Sequence, residues 1–230
     1  MKALIFAAGL GTRLKPLTNN IPKALVTFRG KPLLQITIEK LKKYNIDTFV
    51  INVHHFSYKV KNFLVENNNF NANIILSDET DELLETGGGL FKAREYLKDD
   101  DFLIHNVDII SNIDILQMYN QHLKNNALAT LAVQNRESNK KLYFNPANYL
   151  CKWKNEITAE ERIARSCKYS FGFAFSGIHF VNPKIFDFMN YGKYSIIDTY
   201  LSVAQNQKIS YFDHTGDFWR DMGKPESFIE

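Results

Sequence analysis

Met1–Leu25 reads MKALIFAAGLGTRLKPLTNNIPKAL. Ala3–Ala8 is an apolar run the length of one buried strand, and it runs straight into Gly9 and Gly11. A Thr12-Arg13 pair follows, then Pro16, Pro22 and a second cation, Lys23. A buried strand feeding a glycine loop is how α/β proteins set backbone N–H groups around phosphates. A dinucleotide fingerprint would need glycine at Leu14, and a P-loop would need Gly-Lys-Ser/Thr, so both common loops are excluded. Pro16 and Pro22 are expected to hold the next segment out of helix, so that Arg13 and Lys23 arrive on one stiffened loop. Backbone donors at Leu10–Thr12 with two cations suit a triphosphate. The competing reading is an ordinary strand–loop turn.

Through the first half, strand-like runs alternate with helical patterns, which argues for a mostly parallel sheet. Helices are expected from Pro32 to about Tyr44, over Tyr58–Glu66 and over Ile113–Lys124, the last with Ile115, Leu116, Tyr119 and Leu123 inward. Strands are expected at Thr48–Val53, Asn73–Leu76, Phe102–Val107 and Ala127–Val133. From Gln134 to Ser170 polar residues crowd in, consistent with a small β-rich excursion. Phe171–Val181 then returns to strand, Pro183 and Ile196–Ala204 start helices, and Ile209–Phe212 is a last strand. Pro225 opens a final helix.

Two internal stretches carry chemistry. SDETDELLETGGGLFKAREYL (Ser77–Leu97) leads an acidic loop into three glycines at a helix start, with Thr86 as candidate N-cap. Glycines there cost helix stability of about 1 kcal/mol each, and they admit something bulky close to the backbone. Asp108 ends an apolar strand, where ligands of open α/β sheets sit. It is placed either to hold a divalent cation or to cap the next turn.

Twenty-eight Lys and Arg against 25 Asp and Glu leave +3, too little to argue for nucleic-acid or membrane partners. An apolar share of 45% and a charged share of 23% are ordinary for a soluble domain, and 230 residues fit one domain. No apolar run approaches the roughly 18 residues of a membrane span. Met1 leads directly into a core strand, which leaves no room for a signal peptide and points to the cytoplasm. Cys151 and Cys167 show no metal-ligand spacing and are expected to stay reduced there. His54-His55 is expected to be structural, since adjacent strand residues face opposite sides. Trp219 is expected to be a packing residue.

Gly9-Leu10-Gly11-Thr12-Arg13 followed by Pro22-Lys23 resembles the signature of sugar-1-phosphate nucleotidyltransferases, the nucleotide-sugar pyrophosphorylases. Leu84–Leu90, Asn106-Val107-Asp108, Phe175–Ile178 and Trp219–Gly223 extend the resemblance over nearly the whole chain. It is closest to the N-acetylmuramate-1-phosphate uridylyltransferases. The resemblance implies a Rossmann-like three-layer α/β/α fold with a mixed, mostly parallel sheet, forming a single domain over 1–230 with residues 134–170 on the sugar side. It implies Arg13 and Lys23 as catalytic cations. Ala7, Ala8, Gly9, Leu10, Gly11, Thr12, Glu85, Thr86, Gly87 and Asn106 would form the nucleotide site, Ser176 and Gly177 the sugar site, and Asp108 and Asp221 the Mg2+ ligands.

The substrates so implied are a nucleoside triphosphate, foremost UTP, and a sugar 1-phosphate; the oligomeric state stays open, a monomer included. Three departures stand out. Val107 replaces a usual glycine, Met222-Gly223-Lys224 follows Asp221 in place of Gly-Thr, and Leu150–Glu156 lacks a Glu-Lys-Pro motif. Rival readings are guanylyl transfer to a mannose or heptose 1-phosphate, with guanine read by Asp78, Asp81 or Glu82, and cytidylyl transfer to phosphocholine. A non-catalytic nucleotide-sugar sensor is a rival of another class, and a glycosyltransferase is the weakest.

Overall fold

The structure is a computed structural model and describes residues 1–228. In chain order the strands are β1 (Lys2–Phe6), β2 (Thr27–Phe28), β3 (Lys31–Pro32), β4 (Thr48–Val53), β5 (Asn73–Asp78), β6 (Phe102–Asn106) and β7 (Ile109–Ser111). They continue with β8 (Ala129–Gln134), β9 (Lys140–Phe144), β10 (Leu150–Asn155), β11 (Glu161–Ile163), β12 (Phe171–Val181), β13 (Ile209–Asp213) and β14 (Trp219–Asp221). The helices are α1 (Leu33–Lys42), α2 (Ser57–Glu66), α3 (Glu85–Lys92), α4 (Arg94–Leu97), α5 (Ile115–Asn125) and α6 (Ile196–Val203).

The main sheet runs β11-β10-β9-β12-β6-β1-β4-β5, with β8 paired beside β12 and β13 paired in turn with β8. β6, β1, β4 and β5 are parallel to one another. β12 is antiparallel to β6, β8 and β9, so the sheet is mixed. Near-continuous apolar runs make this arrangement stable, because parallel strands are buried on both faces. α1, α2 and α5 cover one face with Leu34, Ile38, Val60 and Met118. α3, α4 and α6 cover the other with Leu90, Leu97 and Tyr200. Three layers result, as expected.

The excursion after Gln134 is an extension of the main sheet. The first part of β12 pairs with β9, and its last part pairs with β6, so one long strand joins both halves. Its register shifts between Phe175 and His179. Gly177 takes φ +74 there, and a Cβ would press on Asn106 and Ile109, so the bend requires glycine.

Three expectations are corrected. α5 turns Leu116 (57% exposed) and Leu123 (50%) outward and buries Ile115, Met118 and His122. His122 is tolerated inside because its Nδ1 bonds Thr130 Oγ1 at 2.8 Å, which in turn meets Ser210 Oγ at 2.9 Å. Cys151 and Cys167 are joined in a disulfide, not reduced. The backbone N–H groups of Ala164 and Arg165 both bond Cys151 O, folding the chain after β11 back onto β10. Finally, Pro225–Phe228 is a single 3₁₀ turn.

Lys40 reaches from α1 under the short β7–β14 ribbon, where its Nζ bonds Ser111 Oγ at 2.8 Å. Burial pulls its pKa down to about 8, against the attraction of Asp217. Its charge therefore costs stability fully below pH 8 and progressively less up to the unfolded value near 10.5. Lys40→Met should raise stability by about 1–3 kcal/mol at pH 7, a gain that fades between pH 8 and 10.5. Denaturant melts at several pH values check this.

Candidate active site

β1 and β4 end side by side, and an asparagine at the end of β4 ties their exits together. Asn52 Oδ1 accepts from the N–H groups of Ala7 (2.6 Å) and Ala8 (3.2 Å). Asn52 Nδ2 donates to Glu79 Oε1 at 2.8 Å, and Leu84 N–H donates to Glu79 Oε2 at 3.2 Å. Glu79 is fully buried; desolvation raises its pKa, and the Asn52 and Leu84 bonds oppose that shift. Two N–H groups at the start of the loop are thus spent inside the protein. Sequence reasoning missed Asn52 and Glu79, because a polar residue ending a strand gives no sign of its partners.

The loop then opens. Gly9 faces a cavity and Leu10 is exposed, while Gly11 sits at φ +64 with its carbonyl accepting from Thr18 Oγ1 at 2.8 Å. Thr12–Leu14 and Lys23–Leu25 each wind into one 3₁₀ turn, with extended Pro22 before the second. Leu14 buries itself, leaving Arg13 exposed. Lys23 forms an ion pair with Asp108.

Asp108 and Asp221 approach through the β7–β14 ribbon, which pairs Asp221 with Ile109. Met222 N–H bonds Asp108 O at 2.8 Å, and Gly223 N–H bonds Asp221 Oδ1 at 2.7 Å. A Cβ on Gly223 would lie 2.8 Å from Asp221 Oδ1, 2.9 Å from Arg13 Nη2 and 3.1 Å from Asp108 Oδ2. Residues distant in sequence thus converge on one point. The described residues contain no group of three His, Cys, Asp or Glu placed to hold a metal. Two carboxylates nevertheless fit a cation such as Mg2+, which takes one or two from the protein and keeps water and phosphate oxygens.

The three glycines of α3 have a cause other than a ligand. Gly87 N–H bonds Tyr194 O at 2.8 Å, and a Cβ there would strike the Tyr194 ring. A Cβ on Gly88 would collide with Gly192 O, and one on Gly89 would lie 2.7 Å from Glu79 Oε1. The chain's own 192–194 segment is what approaches. Thr86 is not an N-cap of its helix; its Oγ1 accepts from Ile196 N–H at 2.9 Å and ties α3 to α6. Glu85 begins α3 at φ +58, a left-handed conformation that non-glycine residues adopt at a cost of about 1–2 kcal/mol. It faces the cavity.

Two cavities meet here. The narrower, about 340 Å³, is walled by Ala8, Gly9, Lys23, Asn52, Glu79, Glu85 and Thr86. The wider, about 620 Å³, includes Arg13, Arg136, Ser176, Gly177, Trp219 and Asp221. Asn106 and Asp108 line both. Ala7, Leu10, Gly11, Thr12 and Gly87 line neither. The Ser176 hydroxyl and carbonyl are both engaged within the protein, Oγ 2.8 Å from His214 Nε2 and O accepting from Trp219 Nε1 at 2.9 Å. Val107 packs in the core yet touches the narrower cavity. His54 Nδ1 meets Glu79 O, and neither His54 nor His55 reaches the cavities. Of the acidic loop, Glu79 is the carboxylate in the wall, not Asp78, Asp81 or Glu82. The lysines of Leu150–Glu156 are engaged elsewhere, Lys152 with Glu161 and Lys154 with Glu156.

The fold defines a Rossmann-like α/β protein with ligand cavities beyond the carboxyl ends of its parallel strands. The chain belongs to the nucleotidyl transferase family, which matches residues 2–143. It is 32% identical over 236 residues to mannose-1-phosphate guanylyltransferase 1 of Arabidopsis thaliana, covering 100% of this chain and 63% of that protein. It is 41% identical over 110 residues to N-acetylmuramate alpha-1-phosphate uridylyltransferase of Caulobacter vibrioides, covering 47% of this chain and 46% of that one. The solved structure of HddC from Yersinia pseudotuberculosis superposes with a TM-score of 0.80 at 22% identity, over 99% of this chain and 96% of that one. The chain thus spans under two thirds of the length of the curated relatives that match it from end to end. None of its described helices is long and apolar enough to cross a membrane.

Gly88→Ala should destabilise the protein by more than about 2 kcal/mol, because neighbouring backbone must move. Gly9→Ala, with nothing within 4 Å of the added methyl, should leave the melting curve nearly unchanged. Urea titrations of both variants check the contrast.

Proposed function

We propose that this chain transfers a nucleoside monophosphate from a nucleoside triphosphate to a sugar 1-phosphate, releasing pyrophosphate. The convergence of Arg13, Lys23, Asp108 and Asp221 where the two cavities join carries the reading. An acceptor phosphate oxygen attacks the α-phosphorus; that O–P bond forms as the bond from the α-phosphorus to the bridging oxygen breaks, and pyrophosphate departs with its electrons. The attacking oxygen is already anionic, so no general base is needed. The task is to align two repelling anions and to neutralise charge in the transition state.

Lys23 is assigned to the α-phosphate, and Arg13 to the leaving β- and γ-phosphates. Glu85, Thr86, Ala8 and Gly9 wall the nucleotide side; Ser176 and Gly177 border the sugar. Asp108 and Asp221 would hold Mg2+, which supplies charge neutralisation at the phosphates.

For the substrates, uridylyl transfer to N-acetylmuramate 1-phosphate, in cell-wall recycling and with cytoplasmic residence, rests on the Leu84–Leu90 stretch and the similarity to the Caulobacter protein. Guanylyl transfer to mannose 1-phosphate is the second reading. It is supported by the relatives that match the chain from end to end.

Pyrophosphate release from four triphosphates against both sugar phosphates distinguishes these readings. Arg13→Ala, Lys23→Ala and Asp108→Asn should each lower kcat by on the order of 100- to 1000-fold while circular dichroism stays native. Turnover should vanish with EDTA and return with Mg2+. Full activity in Asp108→Asn would refute its assignment. Nucleotide binding with no turnover for any sugar phosphate would instead mark a sensor.

A further inference from the structure

Arg136 has no role in the reaction as assigned, yet few side chains are held so firmly with so little electrostatic return. It lies two residues beyond β8, on the wall of the wider cavity. Its guanidinium stacks 3.7 Å from the Trp219 ring centroid. Nη2 donates to Phe175 O at 2.9 Å and Nη1 to Glu137 O at 3.4 Å, while the buried Nε has no partner. None of the ion pairs among the described residues involves Arg136. Desolvation lowers its pKa, with Asp221 attracting its charge from a distance. A half-buried cation without a counter-ion is unfavourable by itself. A planar fork fixed in one orientation is what binds a phosphate through two parallel bonds.

The support behind it runs to the reacting centre. Trp219 and Asp221, two apart on β14, share a face of the strand. Trp219 Nε1 donates to Ser176 O, just before the bend that Gly177 permits. The bend in β12 thus positions Trp219, and Trp219 positions Arg136 on the wall that Asp221 also lines. The other cations of this cavity differ. Lys140 and Lys224 are exposed, and Arg13 is exposed too and carries no such stack.

We propose that Arg136 binds the phosphate of the acceptor, a sugar 1-phosphate, held in place for it by Trp219 and the Ser176–Gly177 bend. This rests on the nucleotidyl-transfer reading. Because the contact is to phosphate, it is indifferent to the sugar.

The test is calorimetric binding of mannose 1-phosphate, N-acetylmuramate 1-phosphate and the preferred nucleoside triphosphate to the whole chain, wild type and variants. Arg136→Met keeps the packing on Trp219; Arg136→Lys keeps the charge without the fork. In Arg136→Met the Kd of whichever sugar phosphates the wild type binds should rise about tenfold or more, by the same factor for both if both bind. Arg136→Lys should recover part of the loss. Triphosphate affinity should change less than about twofold, the level at which a contact made only to the acceptor leaves it. If Arg136→Met fails to fold, Arg136→Lys carries the comparison.

Unchanged sugar-phosphate affinity, or equal loss of triphosphate affinity, overturns the proposal. A loss confined to N-acetylmuramate 1-phosphate also does, because Arg136 would then serve that sugar's carboxylate. A wild-type protein that binds neither sugar phosphate overturns it as well. Wild-type binding without pyrophosphate release counts against the nucleotidyl-transfer reading alone, and the Arg136 comparison still decides the proposal.

Discussion

The Asn52 side chain is the constraint on which the wall of the narrower cavity depends. Parallel strands leave unpaired N–H groups where they end, and Ala7 and Ala8 would carry two into a buried place. Asn52 takes both on one oxygen and passes the order on through its amide to Glu79. Glu79 then receives Leu84 N–H, which sets where α3 begins. One amide therefore fixes the exit of β1, the end of β4, the loop after β5 and the first turn of α3. A hydrophobic residue at position 52 would preserve the sheet and release all of these.

A second chain of contacts builds the other wall in the same way. The bend at Gly177 places Ser176 O beneath Trp219, while the Ser176 hydroxyl is tied to His214. Burial lowers the pKa of His214 to about 4, so its imidazole is neutral at physiological pH. The hydroxyl thus meets a neutral ring and not a buried cation. The walls differ in kind. The narrower cavity is anchored by strand ends and steric fit, and the wider one by an aromatic ring and a guanidinium stacked upon it.

Much of this was legible in the sequence because it depends on local pattern. Strands Thr48–Val53 and Phe171–Val181 end where their apolar runs end. The apolar stripe Leu33, Leu34, Ile38 and Leu41 on α1 is buried as its spacing requires. What was not legible depends on partners far along the chain. The glycines at 87–89 look like room for a ligand until Gly192 and Tyr194 are seen against the first two and Glu79 and Asn52 against the third. Thr86 has the composition of a cap but serves Ile196. His122 is a polar residue by composition, and its partners inside come from elsewhere in the chain, Thr130 at Nδ1 and Asp101 at 3.6 Å from Nε2. The disulfide was hidden for the same reason, since sixteen residues of separation do not reveal that β10 and the chain after β11 lie together.

Under the proposed reaction, the two cavities would have to hold two anionic substrates, and the charges that line them are arranged in two different ways. Lys23 and Asp108 neutralise each other at the floor, so in the proposed role Lys23 would exchange a carboxylate for a phosphate oxygen and keep a counter-charge throughout. Both side chains stay oriented without a large unpaired charge in a partly buried place. Arg136 is the opposite case, a cation whose desolvation has no paired carboxylate to offset it. Its stack on Trp219 supplies the part of that compensation that needs no anion. Rigid stacking also removes the rotamer entropy that a free arginine would lose on gripping a phosphate. In the proposed reaction the floor would thus exchange partners and the wall would gain one, because Lys23 already has its carboxylate and Arg136 has its ring but no paired carboxylate.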